Sequence, residues 1–553
     1  MARLDKRASK AGQARCMLCA AMWRRRVLLE DWVTVDKSQC PSKFHFADTF
    51  NCASVFIDRH PEEGRAEKAA IRTVDESVSY GQLAERVNRC GNALRDLGIA
   101  PGERALLVVK DSPEFFYLVW GAIKAGIVPV ALNTLLRDSD YQFMIEDSEC
   151  AAIFFSPEYA ANVESAAGLS RPSPRQVIAT TGAGALADLM QAASPELASH
   201  PARADDDCLW LYSSGSTGKP KGVVHAHKDS VIVAQLFAAE TQGIVEDDVI
   251  FSAAKLFFSY GFGNAMLFPL WLGATAVLSD QVPTPEMTFE IIERFRPTVY
   301  FGVPTLYARQ LAEIDQLHPD LSSIRLAVSA GEPLPPALYR GWIEKTGTPI
   351  LDGIGSTEVH HIFISNTPTD HQPGSAGRPV PGYQVMLTGD DGLPVETGEV
   401  GTLKCRGESI ARYYWKNPER TAETIEDGWI NTGDMMRQDE DGRFIYCGRA
   451  DDMMKVGGIW CSPAEIEARL VEHPSVLEAA VVARQDSAGL VKPEAYVVLK
   501  DQDQIEDQLD QVLTEYCKSG LARYKYPRWV NFVETLPKTA TGKIQRFKLR
   551  ADA

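Results

Sequence analysis

Tyr212-Ser213-Ser214-Gly215-Ser216-Thr217-Gly218-Lys219-Pro220-Lys221-Gly222 is the stretch on which the reading of this chain turns. It follows an apolar segment, Cys208 to Leu211, as a loop follows a buried strand. Three glycines let backbone amides close on an anion, four hydroxyls add donors, and two lysines add charge. Polyphosphate binding requires this chemistry. The spacing is not that of a Walker A loop, which puts four residues between its glycines and Ser or Thr after its lysine. Here two residues separate Gly215 from Gly218, and Pro220 follows Lys219. Taken alone, the same letters also describe a surface hairpin.

Outward from this loop the chain alternates strands and helices. Ser79 and Gln82 have capping-box spacing, Leu83, Val87, Cys90, Leu94 and Leu97 recur at helical spacing, and Gly98 stops the helix. After the Pro101-Gly102 turn, Ala105 to Val109 is an apolar run suited to a buried parallel strand. Ala151 to Phe155, Thr298 to Gly302 and Ile324 to Ser329 read alike. Such alternation predicts an α/β fold: a large multi-layer N-terminal domain over 46–447, joined through 448–452 to a small α+β C-terminal domain over 453–553. In the smaller unit, Ser462-Pro463-Ala464-Glu465 predicts a capping box, and Ala479 to Val482 and Ala495 to Leu499 predict strands.

The 553 residues exceed one hydrophobic core. A net charge of -17 argues against nucleic-acid and anionic-membrane partners, and no apolar run approaches the roughly 20 residues of a membrane span. Eleven scattered cysteines point to reduced thiols in a cytoplasmic setting, and the Cys16/Cys19 pair reads as incidental. Residues 1–45 read as a basic, disordered extension, with folded character beginning near Phe46. Within residues 1–26, Arg3, Lys6, Arg7, Lys10, Arg15 and Arg24 to Arg26 face one acid, Asp5.

Four later segments keep a fixed order behind the loop. They are Ala330-Gly331-Glu332-Pro333, then Gly353-Ile354-Gly355-Ser356-Thr357-Glu358, then Thr432-Gly433-Asp434 with Gly448-Arg449-Ala450-Asp451-Asp452, and finally Pro537-Lys538-Thr539-Ala540-Thr541-Gly542-Lys543. Together with the loop they resemble the adenylate-forming superfamily of acyl-CoA synthetases, from about residue 46 to the end. The resemblance implies two half-reactions: an acid and ATP give an acyl-adenylate and pyrophosphate, and a thiol then displaces AMP.

The same resemblance implies the roles. Ser213, Ser214, Gly215, Ser216, Thr217, Gly218, Lys219 and Lys221 cradle the phosphates of ATP, and Thr357 contacts the α-phosphate. Glu358 holds Mg²⁺, a hard cation that suits one carboxylate plus phosphate oxygens. Gly331, Glu332, Pro333, Asp352, Gly353 and Ile354 wall the adenine; relatives often carry an aromatic residue where Ile354 stands. Asp434 binds the ribose beside Arg449, and Lys543 reaches the reacting carboxylate during adenylation. Residues 448–452 are the hinge, centred on Asp451, about which the mobile C-terminal domain turns, and Gly458 approaches the pantetheine of CoA. Lys538 reads as merely solvated.

Phe251 to Asn264, Gly355 to Phe363 and Lys538 to Arg550 resemble the benzoate–CoA ligase group within that superfamily. Ser259, Tyr260, Gly331, His361 and Ile362 are then expected to line a ring site, a flat aromatic acid being the substrate. Ser259 stands where Ala is usual and His360 where an apolar residue is usual. If either faces the pocket, it can bond a ring substituent, so benzoate and hydroxy- or aminobenzoates all stay open. CoA is the expected acceptor. Transfer to a separate carrier protein and a non-catalytic nucleotide binder are the alternatives, and a homodimer is left open.

Overall fold

The computed structural model describes residues 29–38, 42–213, 220–456, 459–487, 489–501, 508–538 and 544–551. Two large sheets carry the N-terminal part. In the seven-stranded one the order is Tyr413–Tyr414, Lys221–Ala226, Asp207–Ser213, Val128–Ala131, Arg104–Val108, Ala152–Phe155, Gln176–Ala179. The last five of these strands run parallel, and the four central ones from Asp207–Ser213 to Ala152–Phe155 are largely buried, as their apolar runs require. The nine-stranded sheet places Leu326–Ser329 between Val299–Gly302 and Ile350–Gly355, all parallel, with Ile362–Ser365 antiparallel beyond.

The helix Tyr80–Asp96 begins at the expected box: Gln82 N–H donates to Ser79 Oγ at 3.2 Å and Ser79 N–H to Gln82 Oε1 at 2.9 Å. Leu83, Val87, Cys90 and Leu94 are its buried stripe, and Gly98 follows at φ +76°. At Ser462 only half of the expected box forms. Ser462 Oγ accepts from Glu465 N–H at 3.3 Å, but the Glu465 carboxylate turns to Lys525. The ammonium is the stronger partner for a charged acceptor.

Ordered structure starts earlier than composition suggests. Val33–Asp36 pairs antiparallel with Lys43–Phe46, and Trp32, Val35, Phe44 and Phe46 pack on the main core. The residues upstream of Leu29 lie outside the described ones. A further sheet of Gln384–Thr388, Val400–Arg406, Trp429–Gln438 and Phe444–Arg449 leads to the C-terminal part. There the helix Pro463–Val471 packs on Val476–Gln485, which pairs with Val491–Leu499 around a separate core. The two parts touch where Ser462 Oγ donates to the Cys447 carbonyl and Arg340 pairs with Glu472 at 3.2 Å.

Candidate active site

The carboxyl ends of two neighbouring parallel strands open the site. Ser329 is in register with Asp352, so Gly331-Glu332-Pro333 and Asp352-Gly353-Ile354 leave the sheet side by side, where ligands settle in open α/β sheets. Gly331 takes φ +95° to make that exit. Asp352 is buried: its Oδ2 accepts from Leu334 N–H at 3.3 Å and its Oδ1 has no partner. Burial outweighs these hydrogen bonds and pushes the carboxyl up to about 8. In the ligand-free protein Asp352 is therefore neutral below pH 8, while in the unfolded chain it ionises near 4. The folded state holds the extra proton between those values, so this group's contribution to stability is full below pH 4 and is lost as pH rises through 8. Asp352→Asn is expected to melt several degrees above the parent at pH 8. The gap should close toward pH 5 in thermal scans of the unliganded protein. An equal gap at both pH values would remove Asp352 as the cause.

Beyond Ile354, residues Ser356–His361 turn back into Ile362–Ser365. Ser356 caps the short 3₁₀ turn Thr357–Val359, accepting from Val359 N–H at 3.2 Å. Glu358 then meets the neighbouring sheet: its Oε1 accepts from Tyr414 Oη at 2.9 Å and from Ser213 Oγ at 3.3 Å. Lys221 lies across the strand pair from Ser213, its ammonium 5.0 Å from the centre of the Tyr414 ring. Burial holds that ammonium below its usual range, Arg420 and Arg449 add repulsion, and Glu358 opposes the shift. Asp434, buried, pairs with Arg449 at 2.9 Å across adjacent strands. Gly433 permits this: a Cβ there would stand 2.8 Å from Arg449 Nη2.

A polar core props the same turn from behind, and nothing in the sequence pattern flags it beyond an i,i+4 spacing. His225 Nε2 meets the Thr357 carbonyl at 2.8 Å and Nδ1 meets Asp229 at 3.0 Å. The His225 ring stacks on His360 with centroids 4.3 Å apart, and His360 Nε2 contacts Ser230 Oγ at 3.1 Å. His360 sits at φ +75°, uncommon for a residue with a side chain. Tyr414 too gave no signal in the sequence.

Around the expected ring site, Ser259 Oγ donates to the His360 carbonyl, and Tyr260 Oη donates to the carbonyls of Gly302 (3.2 Å) and Val328 (3.3 Å). His361 is packed by Phe237, Phe268 and Tyr260, and Gly263 makes room for it: a Cβ there would lie 2.4 Å from His361 Cδ2. Burial pushes the His361 imidazole down to about 3, so it is neutral. Its Nε2 faces two acceptors, Asn264 Oδ1 (3.1 Å) and the Tyr260 carbonyl (3.4 Å), which puts the hydrogen on Nε2; Nδ1 is buried without a partner. Ile362 packs on Gly353, whose Cβ would stand 2.9 Å from Ile362 Cγ2. Ser259 offers no idle donor, its hydroxyl being engaged by the His360 carbonyl, whereas His360 meets Ser230 through Nε2 and keeps Nδ1 buried without a partner.

Ser214, Gly215, Ser216, Thr217, Gly218, Lys219, Gly458 and Lys543 lie outside the described residues. Asp451 is an exposed turn residue, while Asp452 beside it pairs with Arg550 and, at 3.8 Å, Arg546. Lys538 is not merely solvated: it pairs with Glu478 at 2.6 Å, both largely covered. Among the described residues no helix is long and apolar enough to cross a membrane.

Comparison with known proteins gives a consistent set of likenesses. The family model described as AMP-binding enzyme matches residues 57–415, and the AMP-binding enzyme C-terminal domain matches 465–543. The chain is 46% identical over 520 residues to the benzoate–CoA ligase of Thauera aromatica, covering 93% of this chain and 98% of that one. It is 44% identical over 507 residues to the 4-hydroxybenzoate–CoA/benzoate–CoA ligase of Rhodopseudomonas palustris, with 91% and 94% covered. The crystal structure of the anthranilate CoA ligase AuaEII in complex with anthranoyl-AMP superposes with a TM-score of 0.89 at 40% identity, covering 92% of this chain and 98% of that one.

Proposed function

Because the chain belongs to the AMP-binding enzyme family, we propose that its cleft joins benzoate to coenzyme A through a benzoyl-adenylate. The chain is an ATP-dependent, AMP-forming aryl-acid–CoA ligase. The observation that favours the plain ring over a substituted one is the internal pairing of Ser259. A site built to bond a ring hydroxyl strands its own polar group when the hydroxyl is missing; here Ser259 donates to the His360 carbonyl, so benzoate does not strand it. One observation favours a second reading. The buried, unpartnered His361 Nδ1 is an acceptor, and an ortho amino or hydroxyl group is a donor.

In this reading the phosphate loop and Lys221 hold the polyphosphate, with Thr357 at the α-phosphate. Asp434 accepts from the ribose, and Gly331 to Pro333 with Asp352 to Ile354 enclose the adenine. The Glu358 carboxylate is an anionic oxygen donor beside this loop, and so fits magnesium completed by phosphate and water oxygens. When bound, the ion neutralises charge on the polyphosphate. The benzoate oxygen attacks the α-phosphorus and pyrophosphate leaves. Lys543 steadies the charge shared by carboxylate and phosphate. Reorientation of the C-terminal part about Asp451 then brings CoA past Gly458, and the thiol displaces AMP.

The test is incubation with Mg-ATP and benzoate, 2- and 4-hydroxybenzoate, 2-aminobenzoate, cyclohexanecarboxylate or octanoate, with and without CoA, following AMP and acyl-CoA by mass spectrometry. Benzoyl-CoA with matching AMP, formed faster than any other thioester, is the expected result. Faster 2-aminobenzoyl-CoA would replace the first reading by the second. A preference for octanoate, or adenylate that never reaches CoA, would overturn both.

A further inference from the structure

Away from the cleft, three soft donor atoms meet in the interior. Cys52 precedes the helical turn Ser54–Asp58, Cys208 lies in the strand Asp207–Ser213, and His227 opens the helix His227–Val233. All three side chains are buried, and their donor atoms lie within 4.8 Å of one another. The two sulfurs are 3.5 Å apart, and His227 Nδ1 is 3.3 Å from Cys52 Sγ. The tautomer suits a ligand. Cys52 N–H donates to His227 Nδ1 at 3.2 Å, so the lone pair is on the nitrogen beside the thiols, and a cation would take it in place of this hydrogen bond.

Geometry narrows what this cluster can hold. With metal–sulfur bonds of about 2.3 Å and a metal–nitrogen bond of about 2.0–2.1 Å, a tetrahedral site has donor atoms roughly 3.4–3.8 Å apart. The sulfur–sulfur separation of 3.5 Å lies within that range, and the nitrogen–sulfur separation of 3.3 Å falls short of it by no more than a small side-chain adjustment. Cys208 and His227 also line a cavity of about 350 Å³, with Asp206, Asp207 and His200 on its wall. Two of the three residues therefore border a polar space from which an ion can approach and water can complete its shell. Such a donor set selects a soft or borderline cation over magnesium, which takes oxygen.

We propose that Cys52, Cys208 and His227 bind one thiophilic divalent cation of the zinc class, its fourth position open to this cavity. A thiolate is the form that ligates, so binding releases the thiol protons. The site ties three distant segments together at the end of the strand pair opposite Ser213 and Lys221. Its role is thus to brace the base of the phosphate hairpin, and it takes no part in the transfer itself.

The experiment uses the full chain, reduced, stripped with a chelator, and kept in excess magnesium to block oxygen sites. Titrated Co²⁺ is expected to give, at one equivalent, thiolate-to-cobalt absorption in the near ultraviolet and the intense visible bands of a tetrahedral site, both abolished by Zn²⁺. Cys52→Ser and Cys208→Ser should each weaken Zn²⁺ binding by more than about 100-fold, since even outer-shell changes cost 10–100-fold. Cys150→Ser and a Cys16→Ser/Cys19→Ser double variant should bind as the parent does. No thiolate–cobalt absorption in the parent overturns the proposal, whatever the variants do. So does absorption that follows Cys16 and Cys19, or a Cys52–Cys208 disulfide that persists in reductant. All readouts are independent of ligase activity.

Discussion

Glu358→Ala is expected to lower kcat/KM for aryl-CoA formation by about 10²–10³-fold, the range seen when one preorganised charge-stabilising group is removed from an active site. The carboxylate is held by two hydroxyls on one oxygen, Tyr414 at 2.9 Å and Ser213 at 3.3 Å, so it is placed before any ligand arrives. The charge around it is chiefly positive, with Lys221 and Arg449 near enough to bear on one another. Removing this anion takes a counter-charge from Lys221 and Arg449, leaving Arg449 only its pairing with Asp434, and takes away the proposed magnesium ligand. Glu358→Gln separates charge from scaffold, because its amide oxygen still accepts from both hydroxyls. If charge is what matters, the Gln variant falls nearly as far as the Ala variant, and raising magnesium recovers little. A Gln variant retaining half of the parent activity would reduce Glu358 to a strut for Tyr414. The loss should appear in pyrophosphate release, measured apart from the CoA step.

What could be read from the sequence was what neighbours along the chain decide. The Ser79–Gln82 box, the stripe from Leu83 to Leu94 and the apolar runs of the buried parallel strands depend on a few consecutive residues, and all stand in the structure. The proposed phosphate loop stood out by local composition, and Asp434, Glu358 and Asp352 were singled out through resemblance. The supports of the site were not legible, because their partners come from far along the chain. Tyr414 reaches Glu358 across 56 positions and His225 reaches Thr357 across 132. No periodicity encodes such a meeting; only the stacking of one sheet on another creates it. The onset near Phe46 was misread for the same reason. Val33–Asp36 is a short polar-and-apolar segment that becomes a strand because Lys43–Phe46 pairs with it and the core receives Phe44 and Phe46. At Ser259 the residue type suggested a ligand contact, whereas the folded chain engages its hydroxyl internally, and His360 meets Ser230 with Nε2 while Nδ1 stays unpartnered.

Gly377→Ala should be the most damaging single-methyl change available to the fold. Gly377 sits at φ +94°, and an added Cβ would lie 2.1 Å from the carbonyl carbon and oxygen of Ser365 and 2.2 Å from Asn366 N. Those are backbone atoms in the strand Ile362–Ser365, so no side chain can swing aside. The strand is itself pinned, Ser365 being in register with Gly353 on one side and Arg378 on the other. Asn366 adds hydrogen bonds to the Asp352 carbonyl (3.0 Å) and the Ser375 carbonyl (2.6 Å). Gly377 in turn accepts from Phe444 N–H at 2.8 Å, joining this strand to the sheet that carries Asp434. Relief of the clash therefore has to break pairing next to the proposed adenine wall, a loss of about 4 kcal/mol or more, at the top of the range for point changes. Gly64→Ala provides the comparison. Gly64 has nearly the same φ, +92°, with nothing within 4 Å of the added carbon. It isolates the conformational penalty of a left-handed alanine, about 1–2 kcal/mol. Thermal scans of the two variants should show Gly64→Ala melting slightly below the parent and Gly377→Ala either insoluble or at least about 8 °C lower, taking about 2 °C per kcal/mol for a large domain. Equal, small shifts would mean that Ser365 and Asn366 move freely, and that the strand does not lock the two sheets together.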